Sequence, residues 1–128
     1  MKKEVIKPKG MYDPSGRGFC HAIKVGNTVY VAGQASFDEE RNVVGVGDCT
    51  AQATQVFENI KKILEATGAS LRDVVRMTYY VTSREDMEKV RAVRFKYFSE
   101  YMPASTGLVV ASLSTPELLV EIEVTAVI

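Results

Sequence analysis

The closing segment LVEIEVTAVI sets the tightest limit on the fold. Val120, Ile122, Val124 and Ala126 alternate with Glu121, Glu123 and Thr125, so a strand here has one apolar face and one carboxylate-bearing face. Such a strand needs a covering layer on one side only. DVVRMTYYVT repeats the pattern, with Val75, Met77, Tyr79 and Val81 on one face and Arg76, Thr78 and Tyr80 on the other. FCHAIKVGNTVYVAGQASF alternates around Gly26 and Asn27, where glycine supplies the positive φ of a tight turn, and this predicts a β-hairpin.

Two segments carry the helical period instead. Ala53, Val56, Phe57, Ile60, Ile63 and Leu64 recur at three-and-four spacing behind a cap at Asp48 or Thr50, and Gly68 suits a left-handed terminus, so a helix is expected to run to about Thr67. Ser83 with Asp86 three residues on predicts a capping box for a second helix. Its buried side would use Met87, Val90, Val93 or Arg94, Tyr97, Phe98 and Tyr101, and Pro103 lies beyond its end. The order β-β, α, β, α, β-β describes one α+β domain over residues 1–128, a mixed sheet with both helices packed on one face. The other face is neither apolar enough for a core nor polar enough for water, and copies of the chain are expected to associate through it.

Composition narrows the partners. Sixteen basic and sixteen acidic residues cancel, and past KKEVIKPK there is no basic run, which argues against nucleic acid as the main partner. No stretch approaches the ~20 apolar residues of a membrane helix, and the start lacks the apolar segment of a signal peptide. A cytoplasmic location is expected, with Cys20 and Cys49 as free thiols. Two cysteines without a C-x-x-C pair and a lone His21 predict no metal site, and nothing in the sequence calls for a cofactor.

GNTVYVAGQ, QATQVFENIKKILEATGASLRDVVRMTYYV, PAS and VEIEVTAV together resemble the RidA family, also called the YjgF/YER057c/UK114 family, over nearly the whole chain. The resemblance implies a chorismate mutase-like subunit, a homotrimer, and small-molecule clefts between subunits. It also implies, for one branch, hydrolysis of reactive enamines and imines to an oxo acid and ammonia. Such chemistry needs a held substrate and a placed water rather than a covalent nucleophile. In that branch an arginine binds the substrate carboxylate, and here its position is Ser105. A charge-assisted pair of this kind contributes about 1.5–3 kcal/mol, of which a serine hydroxyl recovers roughly a third to a half.

Aligned without gaps through each motif, the branch's tyrosine falls at Phe19, its serine at Ala32, its asparagine at Arg91 and its cysteine at Gly107, while its glutamate is kept at Glu121. The resemblance therefore implies a remodelled pocket in an arginine-lacking branch. Glu121 can orient a water or pass a proton, with Glu123 beside it, or be a solvated strand residue. Arg91 can return the missing cation or simply pair with Glu88 along the helix, and Arg17 is a second substitute cation or a loop charge. His21, whose residue type changes charge near neutral pH when unperturbed, is an acid–base candidate or a structural hydrogen-bonder. Ser105 and Thr106 can contact a polar ligand or only end the loop after Pro103. Gly33 can admit a ligand to the backbone or allow close strand packing. Two functions remain open: a deaminase or related hydrolase, and a trimeric protein that binds a metabolite without turnover.

Overall fold

The computed structural model describes residues 1–128. Six strands, β1 (Lys3–Ile6), β2 (Ala22–Val25), β3 (Thr28–Gln34), β4 (Val74–Val81), β5 (Ala104–Val109) and β6 (Val120–Val127), form one sheet in the order β1-β2-β3-β6-β4-β5. Every neighbouring pair is antiparallel except β4 and β5, which helix α2 (Arg84–Tyr97) connects in parallel. Helix α1 (Cys49–Glu65) completes the covering layer. The α+β reading with two helices against a mixed sheet holds, and β6, with the most constraining pattern, lies inside the sheet between β3 and β4.

The core follows the alternation. Val120, Ile122, Val124 and Ala126 meet Met77, Tyr79 and Val81 on the helix side, and Phe57, Ile60, Ile63, Leu64, Val90 and Val93 close over them. The opposite side presents Tyr30, Thr78, Tyr80, Glu121, Glu123, Thr106 and Leu108, of which Tyr30 and Leu108 are exposed. No helix is long and apolar enough to cross a membrane.

Four local expectations are corrected. The chain start forms β1, a strand absent from the expected order, because only Ile6 of its four residues is buried and alternation cannot reveal it. Val75 does not face the core. A bulge shifts the register between Val74 and Arg76, Val74 takes the buried position and Val75 is exposed. Tyr101 lies past the end of α2, where the helical period no longer applies. It is exposed, and its hydroxyl accepts from Arg72 Nη2 at 2.6 Å. The Ser83 box is half formed: Ser83 Oγ accepts from the Asp86 amide, but the Asp86 carboxylate pairs with Lys89 at 3.3 Å. At α1 the cap is Asp48, whose carboxylate accepts from the Ala51 amide at 3.0 Å, and Gly68 takes φ 83° as the chain turns away.

Candidate functional site

The parallel pairing of β4 with β5 decides which way the edge strand points its side chains. Ser105 sits opposite Met77 and Gly107 opposite Tyr79, so both lie on the helix side of the sheet beside α2. A cleft of about 400 Å³ opens there between α2, the segment after it and β5. Gly107 is required at its place, because a Cβ would overlap the ring of buried Tyr79. Around that ring two guanidiniums converge. Arg91 donates from Nε to the Tyr79 hydroxyl at 3.2 Å and from Nη1 to Glu88 at 2.5 Å. Arg94 lies over the Tyr79 ring, 5.5 Å from its centroid, and donates from Nη1 to Ser105 Oγ at 2.9 Å. Tyr79 and then Glu88 hold Arg91 firmly in its charged form. The charged side chains that line the cleft, Arg91 and Arg94, are both cationic, and only Arg91 has an acidic partner, Glu88.

A second cluster occupies the opposite face of the sheet. Glu121 and Glu123 sit opposite Tyr80 and Thr78, and the Tyr80 hydroxyl donates to Glu123 at 2.6 Å. Burial first, and the Glu123 charge second, push the Glu121 carboxyl above the usual carboxylate range. The Glu123 hydrogen bond likewise pushes Tyr80 up. Gly33 belongs to an irregularity of β3 between Val31 and Gln34, and what approaches its backbone is Glu121 itself: a Cβ there would stand 2.5 Å from Oε2. Thr106 is on this face too, accepting from Arg76 Nη2 at 3.0 Å.

His21 shapes this second cluster from behind. Its ring is buried, with Nε2 2.8 Å from the Tyr12 carbonyl and Nδ1 3.4 Å from the Gln34 amide nitrogen. The carbonyl can only accept and the amide nitrogen can only donate, so Nε2 is the donor and Nδ1 the acceptor in these contacts. Gln34 in turn donates to the Ala32 carbonyl at 3.0 Å, and the Ala32 amide donates to the His21 carbonyl at 2.9 Å, so this network pins the irregular stretch of β3 that carries Ala32 and Gly33. Phe19, exposed, and His21 border a separate pocket of about 170 Å³ near the chain start. Arg17 is exposed beyond it and makes no side-chain hydrogen bond.

Most of the sequence candidates therefore fall into two groups within one chain. Arg91, Ser105 and Gly107 are brought together on the helix side. Ala32, Gly33, Glu121 and Thr106 belong to the open side, to which buried His21 connects through Gln34 and the Ala32 amide, while Phe19 stays at the separate pocket near the chain start and Arg17 joins neither group. Sequence reasoning missed Arg94 as a cleft residue, although its three-residue spacing from Arg91 placed both on one helix face. It also read Tyr79 only as core. Neither group contains a nucleophile paired with a base. Both cysteines are free, and burial, then Asp86, push the Cys49 thiol up to about 12, which removes it as a thiolate near neutral pH. What the arrangement offers is an anion-attracting cleft and a carboxyl able to hold its proton longer than usual.

Comparison with known proteins gives a consistent result. The family model described as Endoribonuclease L-PSP matches residues 13–128. A RutC family protein of Pyrococcus abyssi is 42% identical over 126 residues, covering 98% of each chain. The 3-aminoacrylate deaminase RutC of Acinetobacter baylyi is 38% identical over 122 residues, 95% of each chain. Among solved structures, RidA from an Antarctic Psychrobacter species superposes with a TM-score of 0.89 at 39% identity, covering 98% of this chain and 99% of that one.

Proposed function

This chain belongs to the endoribonuclease L-PSP family of RidA and RutC proteins, and on that premise we propose that it hydrolyses a carboxylate-bearing enamine or imine in clefts between the copies of a homotrimer. The observation that carries the reading is the division of the site residues. The cationic group beside Ser105 and the carboxyl group at Glu121 lie on opposite faces of one sheet, so they can serve a single small substrate only when two copies meet. A deaminase among the relatives supplies the substrate class: the Acinetobacter protein's name specifies 3-aminoacrylate, an enamine with a carboxylate.

In this reading the substrate carboxylate enters the positive cleft, in which Ser105 stands where the deaminase branch has its arginine. The reacting carbon reaches Glu121 of a neighbouring copy. The enamine is protonated at carbon to the iminium, whose carbon is electrophilic enough for water. Glu121 accepts a proton from that water as the C–O bond forms and returns it to nitrogen, and the C–N bond then breaks as the hydroxyl proton departs to solvent, replacing the proton taken up at carbon, to leave a carbonyl and ammonia. A carboxyl held above its usual range suits this exchange. Gly33 leaves Glu121 its room, His21 positions the Ala32–Gly33 bulge through Gln34, and Thr106 fixes Arg76 next to the open face, while the exposed Phe19 and Arg17 are left for a neighbouring copy to bring to the cleft. Phe19 and Ala32 lack the hydroxyls of the deaminase branch, and this favours the second reading, a trimer that binds a metabolite without turnover.

Hydrolysis of imino acids generated in place by an amino acid oxidase separates the two. The deaminase reading expects acceleration by the parent and its loss by a factor of about 100 or more in Glu121→Gln. An unaccelerated reaction across small and bulky imino acids would leave the binding protein.

A further inference from the structure

We propose that Arg94 is the residue that holds the substrate's carboxylate, and that the acid it holds carries an apolar side chain. The inference rests on reading the cleft as a carboxylate site, but it can be tested apart from turnover.

The two guanidiniums of the cleft are differently committed. Arg91 is exposed, and its charge is already answered by Glu88 and its Nε by the Tyr79 hydroxyl. Arg94 is half-buried and takes part in none of the subunit's three ion pairs. One of its five N–H donors is spent on a neutral hydroxyl, that of Ser105, and its planar fork lies over the Tyr79 ring. The Tyr79 ring holds the Arg94 guanidinium in place but leaves its charge without a counter-ion, on the same helix face as a second cation, a spacing that mildly disfavours it. An anion bound between them removes the conflict. A carboxylate matches the fork bidentately, and the bond to Ser105 fixes the plane in which it would be received. Serine at 105 thus orients a cation from the helix in place of providing one from the strand.

The rest of the cleft indicates what else the acid carries. Phe95 and Met102 are 69% and 73% exposed beside Arg94, and Phe98 closes the wall behind them. At about 400 Å³, the space falls in the range that accepts ligands larger than a three-carbon acid. The ligand class is a 2-oxo or 2-imino acid with an aliphatic or aromatic side chain, the oxo acid being the product of the proposed reaction.

The test is calorimetric binding of phenylpyruvate, its uncharged ethyl ester, and pyruvate to the parent, Arg94→Gln, Arg94→Lys, and Arg94→Gln combined with Ser105→Arg. The parent should prefer phenylpyruvate over both the ester and pyruvate. Arg94→Gln should weaken the acid about ten- to a hundredfold and leave the ester unchanged. Lysine keeps the charge but not the fork and should recover part of the loss, a comparison that also serves if the glutamine variant does not fold. The double variant should recover binding through a guanidinium returned on β5. No binding of the acid by the parent, equal binding of acid and ester, or undiminished binding in Arg94→Gln would overturn the assignment. Arg94-dependent binding without imine hydrolysis would sink the catalytic reading and leave this one standing. Hydrolysis with KM unaltered in Arg94→Gln would do the reverse.

Discussion

Glu121 is held in an environment that opposes its charge, and this has a thermodynamic sign. Its carboxyl is pushed up in the folded chain, so between the ordinary glutamate value of about 4.3 and the raised one the folded state keeps a proton that the unfolded state has released. Folded protein then binds more protons than unfolded protein, and this residue's contribution is full below the ordinary value and declines as pH rises through the window. Glu121→Gln removes the decline. Thermal melts of the variant and parent from pH 4 to 7 should diverge with rising pH, the variant melting higher at neutrality. Parallel curves would show that Glu121 ionises in the fold as freely as in the unfolded chain. Much of this was legible at the residue scale: Glu121 was identified from its motif, and its neighbour Glu123 from the alternation. The partner of Gly33 was not, since the contact spans β3 and β6 at an irregular register that no single-strand pattern records.

Elements with a long, regular period were readable, and those whose identity depends on a neighbour were not. The alternation of β6 and the apolar face of α1 each involve several fully buried side chains, so the pattern is a direct trace of the core. β1 buries one residue and exists because β2 offers it an edge. Arg94 and Arg91 share a helix face, yet which of them reaches Ser105 is decided by the parallel pairing of β4 with β5. Gln52 is the clearest polar case. It stands outside the apolar period of α1 yet is wholly buried, donating to the carbonyls of Gly45 and Glu117 and accepting from the Leu119 amide at 2.9 Å. It ties the start of the helix to the loop before it and to the segment that leads into β6. Gln52→Ala should cost about 2–4 kcal/mol, since it leaves buried backbone groups unsatisfied, and urea unfolding measures this as a lowered midpoint. A change below about 0.5 kcal/mol would mean that water replaces the amide without penalty.

At the scale of the whole molecule, the proposed site is a shared one, with two different halves on each chain. The helix side holds Arg91, Arg94, Ser105 and Gly107, and the open side holds Glu121 with Gly33. The half-covered sheet was legible from the first alternating segment. That the site residues divide between the two faces was not, because a list of motif positions carries no record of which face each one takes. Mixing tests the division most directly. Arg91→Ala/Arg94→Ala and Glu121→Ala homo-oligomers, each inactive alone, are unfolded together, refolded at equal ratio and assayed for imine hydrolysis, with light scattering to confirm assemblies of three subunits. About a quarter of the parental activity should return, because a quarter of randomly formed neighbour pairs join two intact halves. Assembled mixtures that stay as inactive as the two variants would contradict a site shared between copies.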